Sequence, residues 1–255
     1  MISSIDKALS VLSALADQNN VPITVSKLAE YLNINRSTCS HVIKTLTDRG
    51  YAQRVSHSAG YILGPEAYRL SRFGNYAAPI VEVCRPVMNW LHKKTGKMIV
   101  LSVIQNDKKY IINLTDNEHK IFQNKESLRV DDIYRTATGR IILANMDREQ
   151  IKSIYKKYGP PTNKEWEGVD SYEALIDELS KIGKRDIIIV SEKKDSYYLI
   201  GIGGAIFNKN TCIGAVGVAM EIPEKEYEIF PSYQTEIIQT LRKGIAEINR
   251  RLGYN

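Results

Sequence analysis

Cysteine is scarce and scattered: Cys39, Cys84 and Cys212 are the only three in 255 residues. There is no CxxC pair and no Cys/His spacing suited to zinc, so neither a disulfide framework nor a zinc site organises the chain. The four histidines, His41, His57, His92 and His119, form no HxxxH pair. Long apolar runs are lacking, and the opening MISSIDKALS has no basic segment followed by an apolar core. A cytoplasmic protein with no membrane partner is therefore expected. A GxSxG motif and a Cys–His pair are absent as well. Gly201–Ala205, GIGGA, is not a phosphate loop, because it lacks GxGxxG spacing and runs on into strand residues. Asp131 and Asp132 are neighbours in an extended stretch and would point to opposite faces. No catalytic residue, metal ligand or cofactor is assigned.

What is present is an ordinary globular composition, 43% apolar and 25% charged, at a length that suits two domains. The net charge is +6. Residues 1–75 hold 8 Lys and Arg against 5 Asp and Glu, and the other 180 hold 27 against 24. The basic excess is denser at the front but modest. One such module would hold DNA weakly, so tight binding needs two acting together.

The front segment reads as three helices and a hairpin. Ser3 or Ser4 caps a helix with the stripe Ile5, Ala8, Leu9, Leu12 and Leu15. Thr24 caps a short second helix, although Lys27 stands where a capping box wants Glu or Gln. Asn33 suits the left-handed turn that follows. Asn35 caps a third helix whose inner stripe is Cys39, Val42, Ile43 and Leu46. Its outer face carries Arg36, Ser37, Thr38, Ser40, His41 and Lys44, with no carboxylate until Asp48. Short donors, acceptors and cations in that array suit base edges and phosphates in a major groove. Gly50 ends the helix. Tyr51–Val55 and Tyr61–Leu63 read as strands around the turn Ser56–Gly60. The pattern is a winged helix-turn-helix, with Arg54, His57 and Ser58 on the wing.

The rest alternates a helix–hairpin start, several helices, three strands and a closing helix, which is an α+β antiparallel-sheet domain. The polar candidates in its strand ends and caps are Asn113, Thr136, Thr138, Ser191 and Glu192. The expected boundaries are 1–64 for the DNA-binding domain, 65–76 for a linker helix and 77–255 for the sheet domain. Pro86 is expected to kink the helix that opens the latter.

The segments ALSVLSALAD, SKLAEYLNINRSTCSHVIKTLTDRGYAQR and GYILGPEAYRLS resemble the DNA-binding domain of the IclR family of bacterial transcription regulators. TATGRIILA, Thr136–Ala144, and IGAVGVAMEIP, Ile213–Pro223, resemble its GAF-like (profilin-like) effector-binding domain. The resemblance implies a ligand-responsive regulator, a repressor by preference, with a double-stranded DNA operator as partner. It also implies a homodimer or dimer of dimers and a small carboxylate or aromatic effector. The family's DNA-facing positions carry over to Asn35, Arg36, Ser37, Thr38, Ser40, His41 and Lys44. Its pocket positions carry over to Thr136, Ala137, Thr138, Gly139, Gly201, Gly203, Gly217 and Ala219. This chain departs from the pattern in having no Cys-x-Ala-x-Pro at Gly201–Ala205, and Gly217 and Ala219 where relatives often have serines. The alternatives are a thiol redox enzyme of the GAF type using Cys212, and an interaction adapter that has lost DNA.

Overall fold

The computed structural model describes residues 3–18, 20–56, 58–73, 78–116 and 133–253, without the side chains of 71–73 and 78. Two compact units divide the chain, Met1–Tyr76 and Ala77–Asn255.

The first unit holds α1 (Ser3–Ala16), α2 (Val25–Tyr31), α3 (Arg36–Asp48), the hairpin β1 (Ala52–Ser56) and β2 (Gly60–Leu63), and α4 (Pro65–Phe73). Thr24 and Asn35 accept backbone N–H groups as caps of α2 and α3. Asn33, at φ +50°, makes the left-handed turn between them. Cys39, Ile43 and Leu46 face inward against Val11, Leu15 and Leu28. One expectation shifts: α1 buries Val11, Ala14 and Leu15, whereas Ile5 and Leu9 are 54% and 59% exposed. Two apolar stripes overlap on α1, and the three-helix core takes the one nearer its C-terminal end. The hairpin is tied back by an antiparallel bridge between Tyr61 and Ile23. Only glycine fits at 60, since its φ is +103° and a Cβ would stand 2.2 Å from the Ile23 carbonyl oxygen. The helix α4 belongs to this unit: Glu66 N–H donates to the Gly50 carbonyl and Tyr68 Oη donates to Asn20 Oδ1 at 3.0 Å.

The second unit holds α5 (Ala78–Thr95), β3 (Met98–Gln105), β4 (Lys108–Thr115), α6 (Ala137–Leu143), α7 (Arg148–Tyr158), α8 (Tyr172–Ile182), β5 (Ile188–Lys193), β6 (Tyr197–Asn208), β7 (Thr211–Pro223) and α9 (Phe230–Arg251). Helix α5 runs unbroken through Pro86. The strands form one antiparallel sheet in the order β4-β3-β7-β6-β5. Asn106 and Asp107, both at positive φ, turn β3 into β4.

The two sheet faces differ sharply. Ile99, Leu101, Ile200, Ile202, Val216, Val218 and Met220 pack on α5 and α9. The alternate residues are small: Gly201, Gly203, Ala205, Ala215, Gly217 and Ala219. Helix α6 settles on that small-residue face. A Cβ at Gly203 would lie 3.1 Å from the backbone of Ala137 and Thr138. One at Gly217 would lie 2.7 Å from Thr138 Cγ2.

Candidate functional site

In the first unit, α3 presents one continuous outer face. Arg36, Ser37, Ser40, His41 and Lys44 are exposed, and Thr38 is half-buried. Asn35 Oδ1 accepts both Ser37 N–H at 2.9 Å and Ser37 Oγ at 3.0 Å. These two residues therefore serve as the helix cap first. Thr45 Oγ1 donates to the His41 carbonyl, which leaves the His41 ring to project outward. On the wing, Arg54 and Ser58 are exposed; Arg54 lies over the Tyr61 ring at 5.7 Å, and Ser56 and Ser58 hydroxyls meet at 3.3 Å. His57 falls outside the described residues, as do Asp131 and Asp132.

In the second unit, a cavity of about 880 Å³ opens between the small-residue sheet face and the start of α6. Met98, Val100, Gly201, Gly217 and Ala219 form its floor; Thr136, Ala137 and Thr138 form one wall. Val190 and Glu192 of β5 and the Lys193–Tyr197 loop close another side.

Four expected pocket residues do not line it, each for a stated reason. Gly139 and Gly203 are packing positions, and a Cβ at Gly139 would meet the Ile133 carbonyl oxygen at 2.1 Å. Asn113 is turned away by a β-bulge. Leu101 pairs with Asn113 but Ser102 pairs with Ile111, so Ile112 is the extra residue. Past that bulge the Asn113 amide faces α5 and meets Met88 Sδ at 3.5 Å. Ser191 has the wrong parity on β5, where Val190 and Glu192 face the cavity and Ser191 is exposed.

Several cavity residues were not anticipated. Lys109 is 2% exposed and its Nζ donates to Thr136 Oγ1 at 2.9 Å. The same hydroxyl oxygen accepts Gly139 N–H at 3.1 Å as the α6 cap. Beside it, buried Ser102 donates to Thr138 Oγ1 at 3.2 Å. Arg135 and Lys164 also line the cavity, and Lys194 pairs with Glu192 at 2.8 Å. Arg140, in the TATGR segment, plays a scaffolding part. Its guanidinium donates to the carbonyls of Tyr134 and Glu165, both at 2.6 Å, and stacks 4.1 Å from the Trp166 ring. Burial pulls it down to about 10, so it stays charged at neutral pH.

Cys212 is half-buried, and burial pushes its thiol up to about 11. That disfavours the thiolate a redox nucleophile needs. Among the described residues, no group of three or more His, Cys, Asp or Glu is placed to hold a metal ion. No helix there is long and apolar enough to cross a membrane.

Comparison with known proteins falls into the same two units. A family model for the bacterial transcriptional regulator IclR C-terminal domain matches residues 76–250, and one for the IclR helix-turn-helix domain matches residues 4–56. The chain is 22% identical over 256 residues to the HTH-type transcriptional regulator KdgR of Escherichia coli (strain K12), spanning 100% of this chain and 94% of that one. The crystal structure of the Thermotoga maritima IclR matches over 100% of both chains with a TM-score of 0.67 and 22% identity. An IclR homolog from Microbacterium hydrocarbonoxydans, complexed with 4-hydroxybenzoate, matches over 96% of this chain and 99% of that one, with a TM-score of 0.68 and 16% identity. At such identities the structural likeness speaks for the fold alone.

Proposed function

The chain belongs to the IclR family of bacterial transcriptional regulators, and from that premise we propose that it represses transcription by holding a near-palindromic operator until a metabolite fills the sheet-domain cavity. In this reading Ser37, Thr38, Ser40 and His41 approach base edges in the major groove. Arg36, Lys44 and Arg54 take phosphates, with Asn35 fixing the start of α3 and Ser58 at the wing tip. The observation that carries it is the outer face of α3: a row of exposed short polar groups and cations, free of carboxylates from Arg36 to Thr47.

A homodimer, or a dimer of dimers, supplies the second module that a front segment of modest charge requires. Ile5 and Leu9, left exposed on α1, support a surface that a second copy covers. The effector is a small organic acid or aromatic compound; the 4-hydroxybenzoate held by the Microbacterium homolog is both. Its binding changes operator affinity only insofar as it prefers one arrangement of the paired modules over another.

His41→Ala and Lys44→Ala separate base reading from phosphate holding. His41→Ala is expected to cost about 1–3 kcal/mol at one operator position and to relax preference there. Lys44→Ala is expected to weaken all sequences alike and to lower the salt dependence. Anisotropy titrations on an operator and its single-base variants measure both. Equal losses for His41→Ala on every DNA contradict the assignment of His41 to a base edge.

A further inference from the structure

Lys109 is the feature of the cavity that neither the glycine pattern nor the helix cap accounts for. It sits on β4, the outermost strand of the sheet, yet is 2% exposed. Its side chain reaches inward to Thr136 on the opposite wall, at 2.9 Å. Burying an ammonium is costly, and a surface lysine would serve an edge strand better. The described lining residues carry an excess of positive charge: Lys109, Arg135, Lys164, Lys193 and Lys194 against Glu192 and Asp195. Two of those cations are committed to carboxylates, Lys194 to Glu192 and Lys193 to Glu224. The floor next to Lys109 is apolar or small: Met98, Val100, Gly217 and Ala219.

We propose that Lys109 is the specificity-determining anchor of the effector site, its ammonium taking the carboxylate of a small organic acid whose carbon body lies on the Met98–Val100 and Gly217–Ala219 floor. Thr136 positions the ammonium, because its hydroxyl oxygen is itself fixed by the cap bond to Gly139. This assignment rests on the reading of the cavity as the effector site. It explains how the site recognises an acid although Gly201, Gly217 and Ala219 offer no side-chain donors. A lysine acts as a point charge and imposes little geometry, so the shape of the floor decides among acids.

The test uses the full-length protein and a panel of aliphatic, keto and aromatic carboxylic acids, each with its amide, plus inorganic phosphate. Melting temperature is read first, because a ligand that binds only the native form raises it. At least one acid is expected to raise it while its amide does not. Lys109→Met, which keeps length and apolar packing, is expected to melt normally without ligand and to bind that acid at least about tenfold more weakly by calorimetry. Lys109→Arg is expected to recover part of the binding. No acid raising the melting temperature of the wild type, an acid and its amide acting alike, or Lys109→Met binding the acid as the wild type does, each overturns the assignment. Phosphate acting in place of every acid overturns the carboxylate choice. If amides bind and alter operator affinity, the cavity remains the effector site and only Lys109 is misassigned. If acids bind through Lys109 and operator affinity does not change, the regulatory reading fails and the assignment of Lys109 stands.

Discussion

Gly203 and Gly217 look interchangeable on paper, each one step along a β-strand, yet they make room for different things. Gly203 admits the backbone of Ala137 and Thr138, whereas Gly217 admits the Thr138 methyl and also faces the cavity. Strand parity told which residues shared a face, but not which of them a helix would cover. Lys109 was hidden for a related reason. In Lys108-Lys109-Tyr110 a polar pair beside a turn reads as solvated, and only the register of Lys109 against Ile104 turns it inward. Cys212 offers a test at this scale. With the folded thiol near 11 against an ordinary 9.0, the buried neutral form is favoured. Its contribution to stability is present below pH 9 and is lost as pH rises toward 11. Alkylation of Cys212 by iodoacetamide is expected to stay slow at pH 8 and to accelerate toward pH 11. Rapid labelling at pH 7 contradicts this and revives a thiol enzyme.

Among elements, those whose ends are set by local chemistry were legible from their residues. Asn33, Asn35 and Gly50 mark the turn, cap and stop around α3, and the structure has each in that role. The Asn106-Asp107 turn between β3 and β4 was equally plain. What escaped was tertiary. The bulge at Ile112 reverses the facing of Asn113, and no residue there announces it. On α1 two apolar stripes compete, and the choice belongs to α2 and α3, not to α1. The wing gives this scale its prediction. Gly60→Ala puts a Cβ against the Ile23 carbonyl at a φ of +103°, so the Tyr61–Ile23 bridge must open. A loss of at least about 2 kcal/mol in urea unfolding is expected, confined to the first unit. A wild-type unfolding curve for that variant contradicts the wing's attachment.

At the level of the molecule, the two units carry the two halves of a switch, and each is intelligible separately. The first displays cations and short polar groups on α3; the second keeps a cavity open by placing glycine and alanine on one sheet face. Their coupling is a free energy of typically about 1–3 kcal/mol in proteins of this kind of regulation, and it acts in both directions. The direct measurement is the affinity of the full-length protein for a fluorescent operator, titrated with and without a saturating acid that raises its melting temperature. At least a fivefold weakening of operator binding is expected, with the same factor appearing when acid affinity is measured with and without operator. An operator affinity that stays the same with the acid demonstrably bound contradicts the claim that the cavity governs DNA binding.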